Sequence, residues 1–250
     1  MVGGSLGGRA AGAMLLAAGA GLLALAWLPT IDALVAQAAY TRLATQVRDP
    51  EPDAEPEAGR NPLETVPEAA AWVSVDGTGI DLPVAQAEKA SPHFYLDHDL
   101  WGAESSAGCP FIDERTHADA RHALVFGHRL GVAGGMFSPL ATCHEQEVFD
   151  ALGSLSLWTK RGFSTFEPLC ALSVDESSQQ VQRFSFASDE GFRDWLRRLT
   201  ADATAFAPDR DTLTEGATRA ITLVTCTKRA PGQKDRTLVV FVSSAEQATT

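Results

Sequence analysis

Apolar and polar positions follow three regimes along the chain. Residues 11–28, AGAMLLAAGAGLLALAWL, carry no charge. A helix rises ~1.5 Å per residue, so this run spans about 27 Å, close to the hydrocarbon thickness of a bilayer. It predicts a transmembrane signal anchor. Arg9 and the N-terminal amine precede it and Asp32 follows it, which places residues 1–10 in the cytoplasm as a short tail and the remainder outside. Trp27 suits an interfacial position. A cleaved signal peptide is the competing reading, because ALA at 24–26 resembles a small-residue cleavage site. Residues 31–48 continue with amphipathic helical spacing. DPEPDAEPEAGRNPLETVPEA then interrupts regular structure with prolines and repels itself with carboxylates, so 29–70 reads as a helix followed by an acidic, extended tether.

From Ala71 the spacing changes to that of strands. AWVSV and IDLPVAQ flank DGTG, a turn signal. CPFID, HALVFGH, LSLWTK, FEPLCALSV, AITLVTC and TLVVFV read as further strands. Two segments read as helices: PLATCHEQEVFDAL (139–152) and SDEGFRDWLRRL (188–199). In the second, Ser188 suits the N-cap, Asp189 and Glu190 sit in the first turn, and Phe192, Trp195, Leu196 and Leu199 form an apolar stripe. Strands dominate and do not alternate regularly with helices. That predicts a mainly β domain over 71–245, an open or closed barrel with inserted helices and a short tail at 246–250, and argues against a doubly wound sheet. No internal repeat is present.

The net charge of −12 argues against nucleic acid as a partner, since phosphate backbones attract basic proteins. The four cysteines, Cys109, Cys143, Cys170 and Cys226, form no CxxC and no zinc spacing. One disulfide among the first three is compatible with an extracellular site; buried unpaired thiols are the favoured reading.

Cys226 ends an apolar strand, and ten residues later Arg236 opens the next one. His128 ends a third apolar run, after Gly127. Each has an ordinary explanation: a packed thiol, a solvated guanidinium, a structural histidine. Together they suit nucleophilic chemistry. A cysteine nucleophile works as the thiolate and needs an acid–base partner, commonly histidine. Carbonyl attack also needs donors for the developing oxyanion, and arginine offers a fixed fork of them. His93, His98, His117, His122 and His144 lie in less punctuated contexts and suit surface or capping roles.

TLVTCT with the downstream Arg236, and FGHR about a hundred residues earlier, resembles the sortases, membrane-anchored cysteine transpeptidases of Gram-positive bacteria. The similarity extends through 71–245 and is strongest to the class B group. AAWVSVDGTGIDLPVAQ is similar to that group's first strand pair. HFYLDHDLWGAESSAGCPFID and VFGHRLGVAGGMFSPL resemble two further segments, and FSFASDEGFRDWL resembles the helix inserted before the cysteine strand. No lid motif of the pilin-polymerising class C precedes the barrel.

The resemblance implies an eight-stranded β-barrel in which the histidine follows the fourth strand, the cysteine ends the seventh and the arginine begins the eighth. It implies that Cys226 attacks the carbonyl after a threonine in the C-terminal sorting signal of a secreted protein, giving a thioester. Arg236 would stabilise the oxyanion and His128 would move protons to and from the amines. An amine of a peptidoglycan precursor, or a pilin lysine, would resolve the thioester. Leu223 and Thr225 would border the substrate groove, although Leu223 equally suits the core. No cofactor and no metal are implied, as the acidic calcium cluster of class A has no counterpart here. Two departures stand out: Arg129 occupies a position that is often asparagine in class B, and the loop TKRAPGQKD is basic and contains Pro231. A membrane-bound peptidase that hydrolyses the thioester, and a non-catalytic barrel that binds wall peptides, are the alternatives.

Overall fold

A computed structural model describes residues 30–47, 61–130, 134–175, 177–226, 235–245 and 248–249. The predicted anchor at 11–28 and most of the acidic tether lie outside these residues. Among the described residues no helix is long and apolar enough to cross a membrane.

Among the described residues ten strands form one sheet: β1 (Ala71–Val75), β2 (Ile80–Gln86), β3 (Phe111–Ile112), β4 (His122–Phe126), β5 (Leu155–Thr159), β6 (Gly162–Asp175), β7 (Ala205–Phe206), β8 (Ala217–Cys226), β9 (Asp235–Ser244) and β10 (Ala248–Thr249). Their order is β6-β5-β1-β2-β3-β4-β8-β9, and β9 pairs back onto β6. The ring closes on eight strands, so the expected eight-stranded barrel is present. The short β7 and β10 are additions, each paired with β6. Residues 248–249, read as tail from sequence, thus extend the sheet. Closure removes the exposed edges an open sheet would carry.

Helix α1 (30–47) packs on the barrel through Ala33, Tyr40 and Ala44. A short α2 (Gln146–Phe149), α3 (Asp189–Asp202) and α4 (Arg210–Gly216) follow. The Ser188 hydroxyl accepts from the Gly191 amide at 3.0 Å, as the sequence predicts, and Phe192, Trp195, Leu196 and Leu199 are buried. Each large apolar side chain so covered contributes roughly 1.5–3 kcal/mol, enough to hold α3 on the sheet without help from its exposed ion pairs.

The helix expected over 139–152 is broken in two. A 3-10 turn, Ser138–Thr142, precedes α2, with Glu145 in an extended conformation between them. The cause is tertiary. The Thr237 hydroxyl donates to the Ala141 carbonyl at 2.8 Å, while the Glu145 amide donates to Thr142. The carbonyl that a continuous helix would return to Glu145 is therefore occupied from β9. Neither α4 nor β7 was legible in the hydrophobic pattern: α4 is polar and buries Thr214, and β7 is two residues long.

Sheet faces explain why β8 reads as an almost continuous apolar run. Ile221 and Leu223 belong to the barrel interior with Val239 and Phe241, whereas Ala220 and Val224 pack with Leu238, Val240 and the α3 residues outside. A strand buried on both faces shows no polar alternation.

Candidate active site

Strand direction gathers the three candidate residues at one end of the barrel. β4 runs parallel to β8, with Phe126 level with Val224, and the Gly127 amide continues the ladder onto the Val224 carbonyl at 3.0 Å. His128 comes next on β4's path and Cys226 lies two residues past Val224, so both strands finish together. β9 is antiparallel to β8 and begins there, with Arg236 paired directly across from Cys226. Two strand C-termini and one strand N-terminus thus meet at a single rim. The Cys226–Arg236 loop is outside the described residues over 227–234.

The four thiols are all free and divide by environment. Cys109, Cys143 and Cys170 are buried, and Cys226 is half-buried. Desolvation pushes each of the first three up to about 12, so they remain protonated and inert. The sequence reading of buried unpaired thiols holds for those three.

His128 is half-buried, and its Nε2 lies 2.7 Å from the carbonyl oxygen of Leu96. A carbonyl can only accept, so Nε2 carries a proton. The neutral imidazole then presents Nδ1 as its acceptor, and the imidazolium presents Nδ1–H as its mobile proton. Its backbone carbonyl accepts from the Phe137 amide at 3.0 Å. Two glycines make this packing feasible. Gly127 lies against the Phe137 ring, where a Cβ would be 2.6 Å from Cγ. Gly108 has φ +61°, and a Cβ there would run into the Tyr95 carbonyl, 2.9 Å from the Leu96 oxygen and 3.1 Å from Cδ2 of His128.

Arg236 is half-buried at the start of β9, its Nη1 3.4 Å from the Asp235 carbonyl. Leu223 is 0% exposed in the barrel interior, so its side chain is core and does not border a groove. Thr225 is 2% exposed and lies opposite Thr237 on the same inward face. Its hydroxyl is buried without a hydrogen-bond partner among the described residues. The reason for both corrections is parity: Cys226 shares the face of Thr222 and Val224, and its odd-numbered neighbours point inward. Arg129, the departure noted from sequence, forms an isolated bridge with Met136 beside the site. Among the described residues no group of three or more His, Cys, Asp or Glu is arranged to hold a metal ion.

Sequence reasoning missed the Leu96 carbonyl and Gly108 as supports for the imidazole. Both lie in HFYLDHDLWGAESSAGCPFID, which carried part of the family resemblance, but a backbone acceptor has no residue-type signature.

A closed eight-stranded barrel with a thiol and a guanidinium paired across its last two strands, and an imidazole ending the neighbouring parallel strand, defines a narrow structural class. No protein-family model and no curated protein matches the chain. Solved structures do. A sortase B from Bacillus anthracis superposes with a TM-score of 0.68 at 21% identity, covering 86% of this chain and 98% of that one. A Staphylococcus aureus sortase B–substrate complex gives 0.67 at 20% identity, covering 82% and 95%. The Clostridium perfringens sortase B gives 0.60 at 23% identity, covering 72% and 96%. The chain has the sortase fold, most like that of class B.

Proposed function

We propose that this chain is a membrane-anchored sortase, a cysteine transpeptidase acting on C-terminal sorting signals. The observation that carries the reading is the Cys226–Arg236 pair across β8 and β9 with His128 ending the parallel neighbour β4. Cys226 works as a thiolate beside a His128 imidazolium. Sulfur attacks the carbonyl after the signal's threonine, and Arg236 donates to the oxygen as it becomes negative. Collapse breaks the C–N bond, and the Nδ1 proton passes to the departing amine, leaving a thioester. An incoming amine gives its proton to Nδ1 and attacks the thioester carbonyl. The C–S bond breaks, and the thiolate–imidazolium pair returns.

Neighbouring sortase B structures were solved with substrate and with Gly3. For this chain the acceptor is read as an amine of a peptidoglycan precursor or a pilin lysine. The uncharged run at 11–28 supports a single-pass anchor with the barrel outside the cell. The apolar side chains of Ile31, Leu34 and Val35, exposed near the start of α1, carry that apolar character up to the described helix.

The test is mass spectrometry of the full chain after incubation with a library of sorting-signal peptides, with and without an added amine. The expected result is a hydroxylamine-labile adduct on Cys226, absent from Cys226→Ala, and ligated product when amine is supplied. Acid product alone in the presence of amine would favour a hydrolase. No adduct and no turnover would leave a binding barrel.

A further inference from the structure

Helix α1 precedes the barrel in sequence, yet it is bonded to both segments that hold His128. Tyr40 is 2% exposed. Its hydroxyl accepts from the Leu100 amide and donates to the Gly108 carbonyl, each at 3.3 Å. One oxygen thus ties together two points of the loop that supplies the Leu96 carbonyl to Nε2. Asp32 adds a third tie, its Oδ2 accepting from the Ser106 amide at 2.8 Å. On the other side Gln37 Oε1 accepts from the Met136 amide at 3.3 Å, and the next residue, Phe137, donates to the His128 carbonyl. Met136 is buried in a left-handed conformation, φ 45°, which a side chain rarely adopts unless its surroundings impose it. Every one of these contacts meets a backbone group, so the helix fixes loop paths and not merely side-chain packing.

We propose that α1 is a brace that sets the orientation of the His128 imidazole, with Tyr40 as its central positioning residue. The inference rests on the reading of His128 as the acid–base group. Gly108, whose carbonyl Tyr40 binds, is also the residue that lies against the imidazole ring. Loss of the hydroxyl frees the loop at two points, and the Leu96 carbonyl drifts from Nε2. Nδ1 then no longer has a fixed tautomer or aim. The ring of Tyr40, stacked 6.5 Å from Trp101, retains its packing in Tyr40→Phe, so the variant isolates the hydroxyl.

The experiment is imidazole NMR on the full-length chain labelled with 15N-histidine, the His128 signals being those lost in His128→Gln. At a pH high enough to make the His128 ring neutral, the native 15N shifts should report a proton fixed on Nε2. Under the same conditions Tyr40→Phe should give a tautomer mixture. It should also lower kcat on the order of tenfold with KM within about twofold, as expected of a misaimed group. Val47→Ala, at the other end of α1 and packed on the barrel core, should lower Tm without moving the His128 signals. The native tautomer in Tyr40→Phe would overturn the proposal. Should that variant fail to fold, Asp32→Ala puts the same question, with a smaller shift in the same direction expected and an unchanged signal again overturning it. The NMR readout needs no substrate. A chain inactive on every sorting-signal peptide would sink the functional reading while leaving the brace to be decided by the imidazole signals.

Discussion

His122 opens β4 and His128 follows its end, so one short strand separates two histidines with opposite surroundings. His122 is 0% exposed. Its Nδ1 donates to the Arg183 carbonyl and its Nε2 accepts from the Thr222 hydroxyl, both at 2.9 Å, and its ring lies 4.6 Å from Trp195. Burial pushes it down to about 4, so it stays neutral. His128 has one nitrogen committed to a carbonyl and sits at the rim where β4 ends alongside β8, the strand that finishes at Cys226. The contrast teaches that hydrogen-bond saturation and desolvation, not residue type, separate a structural imidazole from one suited to the proton transfer proposed for His128.

The sharpest way to break that contrast is to remove each ring in turn. His128→Ala should cost about 10²–10⁴ in turnover with little change in Tm. His122→Gln should leave kcat of the folded protein near native while lowering stability by roughly 1–3 kcal/mol, the cost of buried groups left without partners. Single-turnover acylation and urea unfolding measure the two quantities, and equal kinetic losses would erase the distinction. Next in size, Arg236→Ala should lower acylation by about 10²–10³, the usual loss for an oxyanion donor. Arg236→Lys should recover only part of it, because a point charge replaces a fork. Near-native rates from Arg236→Ala would remove the guanidinium from the chemistry.

Gly108→Ala should follow, with a loss of roughly 10–100-fold, since its Cβ would push on the Leu96 and Tyr95 carbonyls and the His128 ring together. The affected end of β4 should be His128's alone, leaving the His122 resonances in place.

The last effect is on stability alone and comes from pH. His122 is about 4 in the folded protein and about 6.5 when unfolded. The unfolded chain therefore binds the extra proton between those values. Stability from this group is full above pH 6.5 and is lost as pH falls toward 4, about 3 kcal/mol in all. Urea midpoints at pH 7, 5.5 and 4 should show the native protein converging on His122→Gln. Parallel pH curves for the two would mean that His122 is not held neutral.

Much of this architecture was legible because the strands carry both their own pattern and a motif. TLVTC, FGH and the Arg236 strand opening gave the order of the three groups, and the Ser188 cap with its apolar stripe gave α3. What could not be read was which face each β8 residue takes. The family resemblance places Leu223 and Thr225 beside a groove, with the core equally open to Leu223; a doubly buried strand shows no alternation to decide, and the pairing with β9 puts both on the inward face. The 139–152 helix failed for a related reason: Thr237, nearly a hundred positions away, takes the carbonyl that the local pattern reserved for Glu145. Contacts made by backbone atoms, such as Leu96 on His128, left no trace in residue identity.

The parallel pairing of β4 with β8 has a kinetic consequence. The His122–Thr222 bond joins positions 100 residues apart, so this ladder ranks among the slowest contacts for a chain to find. On the proposed mechanism the sulfur has no proton relay until that ladder zips, so transfer chemistry at the rim would report that the barrel has finished closing.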